Sequence, residues 1–227
     1  MEKNQYELCL EVLRRLNRTG VLKDVILIGS WCVPFYKSYF EGVEYSAVIK
    51  TRDVDFLVPA PSKIKTKIDI PNILKDLGFV VGFKGPEGYI RLEHLNLIVE
   101  FLVPEKGRGL DKPYQLPQFG LNAQALRFLN LLIQNTIEVK IEDIKIKLPH
   151  AANFALHKLI IFQRRVNKDK ALKDRRTAIE ILKALIAKGE ANIIRKVFDS
   201  VPQKWQKKIM KGLNESKEKD ILEAIAK

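Results

Sequence analysis

The chain has 227 residues, 46% hydrophobic and 30% charged. That balance excludes a disordered, collagenous or fibrous protein and gives one or two domains with cores of their own. No uncharged apolar run reaches the ~18–20 residues of a membrane span, and the polar start Met1-Glu2-Lys3-Asn4-Gln5 has no apolar signal core behind it, so neither a membrane protein nor a secreted one is expected. Forty Lys and Arg against 27 Asp and Glu give a net charge of +13. The excess is uneven: residues 1–149 carry 21 basic and 18 acidic groups, and residues 150–227 carry 19 and 9. Such a charge favours polyanionic partners, nucleic acid or nucleotides, through counterion release and steering; the competing reading is a lysine-rich solubilising surface. The two cysteines, Cys9 and Cys32, show neither metal-ligand spacing nor a disulfide framework, which points to a reducing, cytoplasmic compartment.

In chain order, Tyr6 to Leu16 has the apolar spacing of a helix. Asp24 to Gly29 (DVILIG) is a short apolar run ending in Gly and predicts a buried strand, followed by a helix over Trp31 to Phe40. Asp53 to Val58 (DVDFLV) predicts a second strand, stopped by Pro59. Ile70 to Leu77 predicts a short helix closed by Gly78. Three strands are expected at Phe79 to Lys84, Tyr89 to Glu93 and Asn96 to Val103, an antiparallel meander separated by turn residues. A Pro- and Gly-containing loop is expected from Pro104 to Gly120, and a hairpin with one apolar face over Thr136 to Leu148. After Pro149 the texture becomes helical: Ala151 to Val166, Leu172 to Ala187, and two or three short amphipathic helices over Asn192 to Ala226. The organisation expected is therefore α+β over residues 1–149, then a basic helical domain over 150–227.

Three features of the first half fit one chemistry. Gly29-Ser30 lies where an apolar strand turns into a helix; Gly permits a tight turn and close approach to a ligand, Ser30 can cap the helix, and a helix start offers free N–H groups to a phosphate. A purely structural turn is the alternative. Asp53 and Asp55 are two apart on a strand, so they share a face at about 7 Å. Like charges that close want a cation between them, and paired carboxylates with substrate phosphates suit Mg²⁺; the alternatives are an exposed strand start, or pairing with Arg52 and Lys50. Glu100 is a single charge in the run LIVEFLV and needs a partner or a metal. On a strand next to Asp53 and Asp55 it would complete a three-carboxylate site for in-line displacement on phosphorus; the alternative is the solvated face of an edge strand. His94, His150 and His157 form no ligand cluster and are expected to be capping, turn or packing residues.

Together, LIGS at 27–30, DVDF at 53–56 and IVEF at 98–101 resemble the nucleotidyltransferase superfamily typified by DNA polymerase β. The resemblance implies a small mixed or antiparallel sheet with flanking helices, followed by an all-helical C-terminal domain. It implies that Asp53, Asp55 and Glu100 bind Mg²⁺ or Mn²⁺, that Glu100 helps deprotonate the attacking hydroxyl, and that Gly29 and Ser30 hold the triphosphate. Twenty-two residues separate Ser30 from Asp53, a longer stretch than compact members of the family have, and residues 37–50 within it would shape substrate choice or act as a lid. In the second half, His157-Lys158-Leu159 with Arg164-Arg165 and Lys173-Asp174 are similar to the helical domain of bacterial nucleotidyltransferase-like proteins, including the toxin-type enzymes of abortive-infection systems. That likeness implies NTP-binding roles for Lys158, Arg164, Arg165 and Asp174, with Asp174 orienting Lys158 or acting as a base; a solvated basic helix face is the alternative for the arginines. The function expected is metal-dependent transfer of an NMP from an NTP to a hydroxyl acceptor, RNA or tRNA being favoured by the basic half. The alternative is a non-catalytic nucleotide- or RNA-binding module, antitoxin-like or regulatory. Residues 192–227 carry no resemblance.

Overall fold

The computed structural model describes residues 3–46, 51–65, 67–105, 107, 112–216 and 218–226. By contact density the chain divides into two units, Met1–Phe35 with Val48–Leu148, and Tyr36–Ala47 with Pro149–Lys227. The division thus falls inside a helix, and the segment after Tyr36 groups with the C-terminal residues.

The first unit is built on a mixed sheet. Its strands are β1 (Ile26–Ile28), β2 (Asp53–Leu57), β3 (Val80–Lys84), β4 (Tyr89–Glu93), β5 (Ile98–Pro104), β6 (Tyr114–Leu116) and β7 (Leu121–Leu126). They lie in the order β1-β2-β5-β4-β3, with β7 beside the second half of β5 and β6 beside β7. β2 and β5 run parallel, as do β5 and β7; the other pairs are antiparallel. The expected meander is present as β3-β4-β5. The segment expected to be a loop from Pro104 to Gly120 instead contains β6, whose partner β7 lies just beyond it; three residues are too short to show a period of two. A hairpin, β8 (Thr136–Ile141) with β9 (Ile144–Pro149), forms a second small sheet.

Alternation along β2 and β5 fixes which side chains face the core. Val54, Phe56, Val99 and Phe101 are buried on one face, where Phe56 stacks on Phe101 at 5.5 Å between centroids. On the opposite face Leu57 and Leu102 join Ile26, Ile28, Leu129 and Leu132 in an apolar cluster, to which the short helix α4 (Asn130–Gln134) contributes. Asp53, Asp55 and Glu100 lie on that same face. Helix α1 (Lys3–Arg18) buries Cys9, Leu10, Val12, Leu13 and Leu16. It also ties the two acid-bearing strands together: the Gln5 side-chain amide donates to the carbonyls of Thr51 (2.9 Å) and Asn96 (3.0 Å), just before β2 and β5. Helix α2 (Cys32–Tyr39) and helix α3 (Ile70–Leu74) complete the unit's connections, α3 being continued by a 3-10 turn that Gly78 closes at φ +88°.

The second unit is helical: α5 (Ala151–Ile161), α6 (Lys168–Ala187), α7 (Ala191–Ser200), α8 (Gln203–Ser216) and α9 (Lys219–Ala226). Sequence spacing extends the first of these to Val166, but the α-helix ends at Ile161 and tightens into a 3-10 turn over Phe162–Arg164. The cause lies in α8. Gly212 lets α8 approach so closely that a Cβ there would stand 2.8 Å from the Phe162 ring, and the Gln163 amide donates to Lys208 O at 2.7 Å. The turn is shaped by tertiary packing that periodicity cannot report. No helix among the described residues is long and apolar enough to cross a membrane.

Removing the Gln5 amide tests whether it buckles β2 to β5. Gln5→Ala loses two hydrogen bonds to half-buried carbonyls, worth about 1–3 kcal/mol together. The expected result is a lower urea midpoint with an unchanged m-value; a midpoint equal to wild type would show the tie to be dispensable.

Candidate active site

Parallel pairing of β2 with β5 sets Asp55 directly opposite Glu100. Asp53 lies two residues back on the same face. All three are half-buried, as expected of carboxylates whose strands are otherwise apolar. Glu100 is on an interior strand, not an edge strand, because β5 has β2 on one side and β4 and β7 on the other. β1 runs antiparallel on the far side of β2 and brings Ile28 opposite Asp55. The chain then turns at Gly29.

Gly29 has φ +72° and its α-carbon lies against the Asp55 carboxylate: a Cβ there would be 2.2 Å from Oδ2. Both conditions demand glycine. Gly29, Ser30 and Trp31 form a 3-10 turn whose Gly29 and Ser30 carbonyls accept from the Cys32 N–H. Ser30 therefore lies within the turn ahead of α2, not at the cap position that a direct strand-to-helix junction would give it. Trp31 is fully buried and stacks on Tyr6. Gly29, Ser30, Asp53, Asp55 and Glu100 are thus brought together at one end of one sheet face.

Sequence reasoning missed the partner of Glu100. Lys84, at the end of β3, donates to both carboxylate oxygens at 3.1 and 3.2 Å. Arg91, on β4, is in register with Glu100 and its Nε donates to Glu93 Oε1 at 2.6 Å. Arg52, one of the alternative partners for the paired aspartates, donates instead to His94 O at 2.7 Å; the other, Lys50, lies outside the described residues. Among the described residues no three His, Cys, Asp or Glu side chains converge closely enough to hold a metal ion. The donor set nonetheless suits Mg²⁺ or Mn²⁺ in kind: hard carboxylate oxygens, two of them two residues apart on one strand. Mg²⁺ characteristically takes one or two carboxylates and completes its shell with substrate phosphates and water, so a closed protein cage is not required.

In the second unit Lys158, Arg165 and Asp174 come together. Lys158 Nζ donates to Asp174 Oδ1 at 2.5 Å and Arg165 Nε to Oδ2 at 2.9 Å. Lys158 is only 4% exposed and lies over the Phe154 ring. Burial pushes the Asp174 carboxyl up, and the two cations outweigh it, leaving it below the usual carboxylate range. Arg165 reaches Asp174 from the extended residue after the 3-10 turn, not from the helix face of Lys158. Arg164 is exposed in that turn. His157 is buried beside this pair, and burial, then the Lys158 charge, pushes its imidazole down to about 3. The three histidines are packing, capping and turn residues: His157 in the core, His150 Nδ1 accepting from Ala152 N at the start of α5, and His94 Nδ1 accepting from Asn96 N.

The sequence model of a family described as nucleotidyltransferase matches residues 7–200. Among curated proteins no sequence matches. Among solved structures, the chain is similar to ANT(2″)-Ia in complex with adenylyl-2″-tobramycin, at 12% identity and a TM-score of 0.50, covering 87% of this chain and 98% of that one. It is equally similar to an antigenic nucleotidyltransferase-like protein from Paracoccidioides brasiliensis, at 14% identity and a TM-score of 0.50, covering 97% and 92%. At these identities the likeness is one of fold.

Two predictions follow from this geometry. Gly29→Ala adds a methyl where Asp55 Oδ2 stands and forces an L-residue to φ +72°, costing about 1–3 kcal/mol. In a double-mutant cycle with Asp55→Gly, the penalty should shrink by more than the ~0.5 kcal/mol expected of independent sites; strict additivity would show that Gly29 does not serve the carboxylate. Acid should also weaken the fold. The unfolded chain binds a proton at His157 near pH 6.5, whereas the folded chain does so only near 3, so stability is full above pH 6.5 and is lost as pH falls through that window. The urea midpoint should drop between pH 7 and pH 5, and His157→Asn should flatten that slope.

Proposed function

The chain belongs to the nucleotidyltransferase family, and for this enzyme we propose transfer of an NMP from an NTP to a hydroxyl of RNA, tRNA first, with release of pyrophosphate. The observation that carries the reading is the β2–β5 register, which sets Asp55 opposite Glu100, with Asp53 on the same face and Gly29 against Asp55. The proposed catalytic domain is residues 1–149 and the proposed basic helical domain residues 150–227.

In this reading Gly29 and Ser30 receive the triphosphate on the backbone of their turn. Asp53 and Asp55 would hold Mg²⁺ or Mn²⁺, with Glu100 as the third ligand, and the chemistry such an ion would supply is charge screening at the reacting phosphate. Glu100 accepts the proton of the acceptor hydroxyl, whose oxygen bonds to the α-phosphorus as the bond to the β-phosphate bridging oxygen breaks. In the helical domain the NTP-binding residues of this reading are Lys158, Arg164 and Arg165, with Asp174 orienting Lys158 through their 2.5 Å contact. The acceptor is argued from charge: the basic residues 150–227 favour a polyanion. The likeness of the helical half to abortive-infection toxins makes a toxin–antitoxin setting part of the proposal. The buried thiols of Cys9 and Cys32 support a cytoplasmic one. A small-molecule acceptor, such as the tobramycin adenylylated in the ANT(2″)-Ia complex, is the competing substrate.

The test is pyrophosphate release with each of the four NTPs in Mg²⁺ or Mn²⁺, with total tRNA or tobramycin as acceptor. Release that requires tRNA is expected, and Asp53→Ala/Asp55→Ala should reduce it by at least about 10³-fold, the scale of losing charge stabilisation at the reacting phosphorus. Release dependent on tobramycin alone, or undiminished in the double variant, overturns the reading.

A further inference from the structure

Glu100 does not stand alone on its side of the acid row. The β3–β4 hairpin carries two cations onto the same face. Lys84 is 45% exposed and contacts both oxygens of a Glu100 that is only 14% exposed. Arg91, half-buried, is the direct strand neighbour of Glu100. The hairpin is built to present them. Gly82, opposite Arg91 in register, leaves the space that the Glu93 carboxylate fills, since a Cβ there would stand 2.1 Å from Oε1; Glu93 in turn fixes Arg91 through Nε. Asn122, buried on β7, holds the hairpin in place by accepting from Ile90 N at 2.8 Å and donating to Gly88 O at 3.0 Å.

A half-exposed pair such as Lys84–Glu100 adds little to folding stability, so stability does not account for it. Its position does suit function. Glu100 is the acid read above as facing the acceptor hydroxyl, and the inference rests on that reading. That places Lys84, half-exposed, and Arg91, the strand neighbour of Glu100, beside the acceptor. A lysine with an arginine next to it then matches an anion on the acceptor, and would repel a polycation. We propose that Lys84 and Arg91 form the acceptor-side subsite and bind a phosphate adjacent to the attacked hydroxyl, so that the acceptor is a phosphate-bearing one, in RNA the phosphodiester next to the terminal ribose.

The experiment measures two quantities on the full-length protein. The first is transfer from NTP to a short oligoribonucleotide with a free 3′-hydroxyl, to AMP and to tobramycin. Lys84→Gln and Arg91→Gln should each raise the KM of the phosphate-bearing acceptor roughly tenfold or more while leaving the KM of the NTP unchanged, and Lys84→Arg should restore most of it. Preference for the oligoribonucleotide over AMP identifies a polymer phosphodiester as the source, and the reverse a free nucleotide. An unchanged acceptor KM, or transfer to tobramycin as efficient as to either phosphate-bearing acceptor, overturns the proposal. The second quantity is the anisotropy of the 5′-labelled oligoribonucleotide, which requires no turnover. The Lys84→Gln/Arg91→Gln protein should bind it about tenfold more weakly and with a shallower salt dependence, compared with Lys140→Gln, an exposed lysine on β8. Equal binding by the two variants overturns the subsite. If no acceptor supports transfer, the proposed function fails, and the anisotropy still decides the subsite.

Discussion

The parallel pairing of β2 with β5 is the constraint on which the site depends. It is fixed by apolar side chains rather than by the acids. Val54 and Phe56 on one strand and Val99 and Phe101 on the other are buried on one face. A slip of one residue would turn them to the opposite face and drive Asp53, Asp55 or Glu100 into the core, where an unpaired carboxylate costs several kcal/mol. The hydrophobic set therefore holds the carboxylates side by side although they repel. Gly29 adds a second condition, since only a residue without a Cβ lets the turn after β1 close on Asp55.

Polar ties handle the rest of the positioning, and each spans a long stretch of sequence. Gln5 reaches residues 46 and 91 positions away, and Asn122 reaches the β3–β4 hairpin from β7. Arg15 chelates Asp76 beyond α3. The second unit solves a harder problem, because Lys158 is almost wholly buried. A lone ammonium there would be untenable, and Asp174 is held ionised by Lys158 and Arg165 together. Replacing a buried pair by apolar residues is often neutral or stabilising, so stability alone does not explain retaining one.

The sequence made the acid motif legible because it rests on local rules. Period-two alternation put Asp53 and Asp55 on one face, and one charge in LIVEFLV singled out Glu100. The meander, the helices other than α4, and the histidines are readable for the same reason. What was not readable is set by tertiary structure. The end of α5 at Ile161 depends on Gly212 fifty residues away, and β6 is too short to show a period. Lys84 reads as a strand residue from its neighbours, yet its bond to Glu100 needs the β3-β4-β5 order and the side-chain direction at a strand end. Ser30 reads as a helix cap, but an intervening 3-10 turn, invisible in composition, sets the helix start past it.

Net charge was the first guide to a partner, and the structure refines how that guide is to be used. Several of the basic side chains in the helical half are already engaged within it: Arg175 with Glu215, Lys183 with Glu218, Lys188 with Glu190 and Arg195 with Asp199. Their charge still contributes to a long-range field that gathers polyanions, but that field does not select one polyanion over another. Selectivity then falls to cations held on the face that carries the acids. Lys84 is in that position, because the carboxylate it binds is the one the proposed chemistry employs.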